Sequence, residues 1–133
     1  MKQLTKIEVI NKTVKHFQEN NRSVNPDKTN NLYGTSCLYE DPSGNRCGVS
    51  IWLKESLDRK SLDNFEGGGH IFLLLKEEII TMSDFKKEVQ HIDDSGFWVK
   101  IQKLHDYSNN WNGKMLTKIG QKAVDKLLET YKD

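Results

Sequence analysis

The apolar residues near the start of the chain repeat with a helical period. Between residues 4 and 19 they recur at steps of three and four, which places them on one face of an α-helix. These residues are Leu4, Ile7, Ile10, Val14 and Phe17. Thr5 and Glu8 have the spacing of a capping box. The pattern predicts a helix over 4–19, followed by an exposed connection over 20–31 that is rich in turn-forming residues.

Two similar patterns occupy the C-terminal part. The Asp-Asp-Ser sequence at 93–95 is typical of a helix N-terminus and predicts a helix that ends near Asn109. Its apolar side carries Phe97, Trp98, Ile101, Leu104 and His105. After a break at 110–113, a last helix is predicted over 114–132. Its apolar face carries Leu116, Ile119, Ala123, Val124, Leu127 and Tyr131.

Residues 37–53 predict a β-hairpin, because two β-prone runs flank an Asp-Pro-Ser-Gly sequence. Proline presets φ for a turn, and Gly44 permits the left-handed conformation that closes it. A three-residue loop with a glycine bulge pairs Tyr39 with Cys47. We therefore interpret Tyr39, Gly44 and Cys47 as structural residues of the hairpin.

The same register places Asp41 opposite Asn45 and makes Cys37 a diagonal neighbour of Cys47. Diagonal partners are about 7 to 8 Å apart, which is beyond the usual span of a disulfide. This register favours two buried, reduced thiols, whereas a loop shifted by one residue on each side would allow a bridge.

The region after the hairpin has weaker patterns. Residues 54–64 are polar and predict a short helix or a loop. Residues 71–75 are apolar at every position, so the period does not distinguish a buried strand from a helix, although the leucines and the following Lys-Glu-Glu favour a helix. A further helix is predicted from Ser83 or Asp84 to His91.

Together these elements predict an α+β fold in a single compact domain over residues 1–133. An antiparallel β-hairpin is covered by helices from both ends of the chain. Residues 71–75 would add a third strand if they are extended.

Composition narrows the functional classes. The chain has 20 basic and 19 acidic residues and a formal charge of +1, so no global field attracts it to nucleic acid or to a membrane. It has no leader pattern and no apolar run near the ~20 residues that cross a bilayer, which predicts a cytoplasmic protein without a membrane partner. Cysteines in such a compartment are usually reduced.

Lysines recur every four residues at the start of the predicted last helix. They are Lys114, Lys118, Lys122 and Lys126. Such a row could follow the phosphate backbone of a nucleic acid. However, Asp125 and Glu129 fall on the same edge, which favours a solvated face of mixed charge. Nucleic-acid binding is therefore an alternative that we do not favour.

A glycine run is a second candidate binding element. Gly67, Gly68 and Gly69, followed by His70, could cradle an anion through backbone amides. The Lys-Ser/Thr pair of a phosphate-binding loop is missing, so a flexible connection is favoured. If the protein binds a small anion, these four residues and the lysine-rich helix are the candidate ligand-binding groups.

The histidines, cysteines and aspartates allow two candidate metal sites. Cys37, Cys47, His70, His91 and His105 could supply a zinc site, but nine residues separate the cysteines instead of the usual two to four. Buried thiols are the favoured interpretation.

The second candidate metal site loosely resembles the His…His-Asp…Asp pattern of HD-type metal phosphohydrolases. It would use His91, His105, Asp106 and Asp125. Only 27 residues follow Asp106, too few for the helices that usually bring in the last ligand. Because His105 lies on the apolar side of its helix, we interpret it and Asp106 as structural residues. We predict no catalytic residues, no metal and no cofactor.

Several short motifs occur in a fixed order along the chain. They are Cys37-x-Tyr39, Gly44-x-Arg46-Cys47-Gly48-Val49, Phe65-Glu66-Gly67, the run from Ile101 to Asp106, and Trp111. This order resembles a family of small proteins encoded by tailed phages and prophages, whose pattern is Cys-x-Tyr…Gly-x-Lys-Cys-Ala, Glu-Gly and Leu-Gln-x-Ile-His-Asp. The chain departs from that pattern at Gly48, at Ile101 and in the length of 53–64.

The resemblance implies a viral accessory protein that acts by stoichiometric binding. Its expected partner is a host protein or a signalling nucleotide, and the expected result is the block of a host defence factor in the host cytoplasm. The alternatives are the HD-like phosphohydrolase and a small nucleic-acid-binding module.

Overall fold

The computed structural model describes residues 2–21, 23, 39–63, 71–106 and 108–132. Helix α1 spans Lys6–Glu19. The predicted capping box is present, because Thr5 Oγ1 accepts from the Glu8 amide at 3.1 Å and the Glu8 carboxylate accepts from the Thr5 amide at 3.1 Å. The prediction of this helix is confirmed.

The turn over 41–45 has the predicted register, but no regular strand flanks it within residues 39–63. The Asp41 amide donates to the Asn45 carbonyl at 2.9 Å, and Gly44 has a φ of +86°. Beyond this turn, only a single bridge joins Glu40 to Arg46 in the described part of the hairpin. Tyr39 and Cys47 are both buried, as expected for one face.

A buried arginine explains why the chain leaves the extended conformation after the turn. Arg59 begins helix α2, Arg59–Asp63, and its side chain is only 4% exposed. Its guanidinium donates to Ser50 Oγ at 2.6 Å and to four carbonyl oxygens at 2.8 to 3.2 Å, those of Ser50, Leu53, Lys54 and Leu57. These bonds hold residues 50–57 around one side chain, and Ser50–Trp52 forms a 3-10 turn instead of a strand.

Helix α3 spans Ile71–Lys76, so the favoured helical interpretation of this apolar run is confirmed. The helix predicted up to His91 is wrong. That segment contains the 3-10 turns Met82–Asp84 and Lys87–Val89. Phe85 forms an isolated antiparallel bridge with Leu53 between them. Phe85 and Val89 are buried, but they do not lie on one face of a continuous helix.

Helix α4 spans Ser95–Asp106 and begins as predicted, with Asp94 Oδ1 accepting from the Phe97 amide at 3.1 Å. It ends three residues before Asn109, and a 3-10 turn over Ser108–Asn110 follows.

Strands β1, Trp111–Asn112, and β2, Met115–Leu116, pair in antiparallel register around Gly113, whose φ is +63°. Helix α5 therefore spans Lys118–Tyr131, and its predicted start at residue 114 is wrong. Thr117 caps it by accepting from the Gly120 amide at 3.0 Å.

The fold class is α+β, as predicted, with a two-stranded antiparallel hairpin and helices at both ends of the described chain. The described strands lie at 111–116, however, and the described part of the predicted hairpin, residues 39–53, forms its turn and the bridge between Glu40 and Arg46. Helices α1, α4 and α5 pack together around one buried apolar cluster. Among the described residues, no helix has the length and apolar content needed to cross a membrane.

Candidate functional site

A groove of about 390 Å³ lies between α4 and α5. We call it the α4–α5 groove. Its described lining residues are Lys100, Lys103, Leu104, Asn110, Ile119, Ala123, Lys126, Leu127 and Thr130. On α5, Ala123 lies four residues after Ile119, Lys126 and Leu127 lie three and four residues after Ala123, and Thr130 lies three residues after Leu127, so a single face of that helix forms one wall.

The floor of the groove is apolar and partly open to solvent. Leu104 is buried, Ala123 and Leu127 are partly buried, and Ile119 is 60% exposed. An isoleucine in that position gains little from folding, because most of its surface stays in water. Scattered exposed apolar residues are common, but one that borders an apolar groove indicates a contact surface.

The rim of the groove is basic. Lys100, Lys103 and Lys126 are exposed, and none of them forms an ion pair with a described residue. The Lys100 ammonium lies 5.1 Å from the centre of the Tyr131 ring, a cation–π contact. No carboxylate occurs among the described lining residues. The groove therefore has a local positive charge, although the whole chain is nearly neutral.

One end of the groove is fixed by the backbone around Asn110. Its side-chain amide donates to the Leu104 carbonyl at 3.2 Å, and its own carbonyl accepts from the Thr117 amide at 2.9 Å. A Cβ added at Gly120 would collide with that same carbonyl oxygen. This close approach needs glycine, and it places the 3-10 turn over Ser108–Asn110 directly against the first turn of α5.

A second groove, of about 390 Å³, lies beside α1 and is more polar. Three of its charged lining residues, Arg46, Glu55 and Lys86, form ion pairs with each other. Arg46 donates to Glu40 at 3.0 Å and to both Glu55 oxygens at 2.9 Å, and Lys86 lies 3.8 Å from Glu55. The Arg46 hydrogen bond is the main reason that the pKa of Glu55 is lowered. We interpret these ion pairs as a link between the turn and residues 54–86.

A histidine lines this second groove. Burial, followed by the charge of Lys86, lowers the pKa of His16. The imidazole is therefore neutral at pH 7 and adds no positive charge to the polar groove.

Three of the four lysines of the predicted row, Lys118, Lys122 and Lys126, lie four residues apart on α5, and only Lys114 lies outside this helix. Lys114 lies in the turn between β1 and β2, whereas Lys118 and Lys122 are exposed on α5 but do not line either groove. Lys126 is the one member that lines the α4–α5 groove.

The two expected counter-charges have other partners. Asp125 accepts from the Gln121 side chain at 2.9 Å, and Glu129 pairs with Lys132 at 2.8 Å. Neither carboxylate forms an ion pair with a described lysine of the row, and the interpretation of this edge as a solvated face of mixed charge stays a prediction.

Several other candidate residues fall outside the described ranges. They are Cys37, Gly67, Gly68, Gly69 and His70. The disulfide question and the role of the glycine run therefore stay predictions.

Two structural candidates of the predicted hairpin, Tyr39 and Cys47, lie in the core, whereas Gly44 is exposed in the turn. Tyr39 Oη accepts from the Gln102 side chain at 3.2 Å, and Gln102 also accepts from the Ile71 amide at 3.0 Å. The buried Cys47 sulfur accepts from the Ser50 amide at 3.3 Å.

The residues of the HD-like pattern have different environments. His105 is fully buried, with its ring 4.7 Å from that of Phe17, whereas His91 and Asp125 are exposed. Asp106 is the last residue of α4. Among the described residues, no three His, Cys, Asp or Glu side chains gather closely enough to hold a metal ion.

The three tryptophans are all buried, which agrees with their interpretation as core residues. Each indole N–H has a partner within the fold. Trp52 donates to Thr13 Oγ1 at 2.9 Å, Trp98 to the Ile92 carbonyl at 2.9 Å, and Trp111 to the Leu104 carbonyl at 2.9 Å.

Sequence reasoning missed Lys100, Lys103 and Ile119 as site residues. A signal was present for the lysines, because they are three residues apart and Lys103 adjoins Leu104 at the border of the apolar side of α4. The exposure of Ile119 had no such signal, because its position fits the apolar periodicity of α5.

Comparison with known proteins gives no match. The chain matches no protein-family model, no curated protein and no solved structure.

Proposed function

We propose that the chain is a stoichiometric binding protein and that the α4–α5 groove receives a segment of its protein partner. The observation that carries this proposal is the exposed Ile119 on an apolar floor with a lysine rim. Apolar contacts would supply most of the affinity, and the rim would orient the partner. The groove brings together no set of groups for acid–base, nucleophilic or metal-assisted chemistry among its described residues.

The identity of the partner is proposed on the motifs. Their order resembles phage and prophage accessory proteins, and we propose that the partner is a host protein, such as a defence factor, in the host cytoplasm. The HD-like alternative gains no support from the described residues, because His91 and Asp125 are exposed whereas His105 is buried. For the nucleic-acid alternative, α5 presents three exposed lysines of the row, but the exposed carboxylates Asp125 and Glu129 lie on the same helix.

The test uses two substitutions of the same chemical kind. Ile119→Asp places a charge on the groove floor, in the first turn of α5 where a carboxylate favours the helix. Met115→Asp is the matched control, because Met115 is 71% exposed and does not line the groove. Each immobilised variant is exposed to host lysate, and the retained proteins are quantified by mass spectrometry.

We expect at least one host protein to be retained in near-equimolar amount by the wild type and by Met115→Asp but not by Ile119→Asp. Equal retention by all three proteins would move the binding surface elsewhere. Retention of no protein in such amounts would contradict the proposal of a host-protein partner.

A further inference from the structure

We infer that the occupant of the α4–α5 groove is an acidic amphipathic helix of the partner. This inference rests on the proposed function and specifies the chemistry that the groove recognises.

The backbone of the groove walls favours a helical occupant over an extended peptide, because the described walls offer no sheet edge for strand addition. An added strand needs unpaired N–H and C=O groups on its host, as the edge of a sheet provides. Both long walls here are helices, whose mid-helix amides and carbonyls bond within the helix. The side-chain amide of Asn110 is also already bonded, to the Leu104 carbonyl. A helical occupant satisfies its own backbone and needs only side-chain contacts.

The dimensions of the groove fit such a helix. Its α5 wall runs from Ile119 to Thr130, which at the helical rise is about 16 Å long. That length corresponds to roughly three turns, or about 11 residues, of a docked helix. Apolar residues at positions i, i+3 or i+4, and i+7 of the occupant would face Leu104, Ile119 and Leu127.

The positive charge of the rim favours an occupant with negative charge. Lys100, Lys103 and Lys126 lack ion-pair partners among the described residues, so an approaching cation would be repelled and a neutral helix would desolvate ammonium groups without compensation. Carboxylates beside the apolar stripe of the occupant would pair with these lysines. The chain as a whole has a formal charge of +1, so the selectivity belongs to the groove.

The first experiment selects peptide ligands directly and does not require the partner to be identified. Random peptides about 16 residues long, which cover the roughly 11 residues that the groove can hold, are displayed and selected on the wild-type protein. Peptides that also bind Ile119→Asp are discarded, and Met115→Asp serves as the positive control. We expect the remaining peptides to be acidic, to carry apolar residues at helical spacing, and to gain helicity on binding by circular dichroism.

The second experiment tests the rim with matched charge reversals. The double variant Lys103→Glu/Lys126→Glu changes the groove, whereas Lys118→Glu/Lys122→Glu makes the same change of charge outside its lining. We expect the first to weaken binding of the selected peptide at least tenfold and the second to weaken it less than threefold, about 1.4 and 0.65 kcal/mol respectively.

The outcomes separate this inference from the function on which it rests. Peptides that need Ile119 but are basic, neutral or bound in an extended form would overturn the acidic helix and leave the proposed function standing. Failure to obtain any peptide that needs Ile119 would count against both. A wild-type dimer in light scattering that Ile119→Asp dissociates would instead identify a second copy of the chain as the occupant and overturn the inference.

Discussion

Gly48 lies directly against the backbone of Ile101 in α4. A Cβ added at Gly48 would be 2.9 Å from the Ile101 carbonyl oxygen and 3.0 Å from the Cβ of His105. We expect Gly48→Ala to lower the free energy of unfolding by about 1 to 3 kcal/mol, because neither backbone can yield without disturbing the core. Urea denaturation measures the change.

Gly96→Ala is the control for this substitution. A Cβ at Gly96 meets only Asp94 Oδ1 at 3.4 Å, an ordinary contact, in the first turn of α4. This variant should be unchanged or more stable by up to about 1 kcal/mol, since alanine favours a helix over glycine. Equal stability of the two variants would show that the close approach of Gly48 to Ile101 does not require glycine.

The Arg59 side chain organises residues 50–57 through five hydrogen bonds from a buried position. Arg59→Met should lower the free energy of unfolding by at least about 3 kcal/mol, because it leaves buried carbonyl oxygens without donors. Arg59→Lys should recover little of this loss, since one ammonium cannot span the same set of acceptors. Lys60→Met, at the exposed neighbouring position, is the control, and a similar effect at both sites would contradict this role.

Asp63 should make stability depend on pH. Its carboxylate accepts from the Tyr39 amide at 2.7 Å, but burial raises its pKa from 3.8 to about 6. The folded state therefore binds the proton more tightly than the unfolded state, so this stabilisation is present below about pH 4 and is lost as the pH rises to about 6. Asp63→Asn lacks this loss. The full pKa difference corresponds to about 3 kcal/mol, but part of the carboxylate stays in solvent, so we expect the stability of the variant relative to the wild type to increase by about 1 to 2 kcal/mol over that range.

The control for this pH dependence is Asp58→Asn. Hydrogen bonds from Ser61 lower the pKa of Asp58, so its relative stability should change with pH in the opposite direction. Urea unfolding of the three proteins at several pH values gives both comparisons. A difference between Asp63→Asn and the wild type that stays constant with pH would contradict the prediction.

Thr13 and Trp52 form a buried pair between α1 and the 3-10 turn. Thr13 Oγ1 accepts from the indole N–H at 2.9 Å and donates to the Val9 carbonyl at 2.7 Å. Thr13→Val keeps the shape but leaves the indole donor unsatisfied, which should cost about 1 to 3 kcal/mol in the free energy of unfolding. Thr13→Ser keeps the hydroxyl and should be the more stable of the two. The opposite order would show that the methyl group matters more than the hydrogen bond.

Local sequence signals were sufficient to predict the start of the helices whose N-termini are capped by nearby side chains. The capping box at Thr5 and the Asp94 cap are encoded within a few residues, and both structures form as the sequence predicts. The register of the turn at 41–45 was also readable, since proline and glycine fix its geometry locally.

The errors arose where distant contacts override local preference. The strand predicted after Cys47 does not form, because the Arg59 side chain binds carbonyls within residues 50–57. A hydrophobicity pattern does not predict these hydrogen bonds. The helix predicted up to His91 does not form, because Phe85 pairs with Leu53 in an isolated β-bridge. By contrast, the second hairpin had a local signal, because Gly113 begins its two-residue turn, a position that favours glycine.

The candidate groove was only partly predictable. One lysine of the predicted row, Lys126, lines it, but the row alone does not indicate the lysines on α4 that lie opposite. Their arrangement depends on the packing angle of α4 and α5, which follows from the connection over 108–117 and not from either helix alone.

The contact between Asn110 and Gly120 has a kinetic consequence for any ligand of the groove. Because this backbone contact fixes one end of the groove, we expect little rearrangement there before docking, so that little reorganisation energy opposes the encounter. The speed of capture then depends mainly on diffusion and on long-range attraction by the ammonium groups, so added salt should slow association much more than it hastens dissociation.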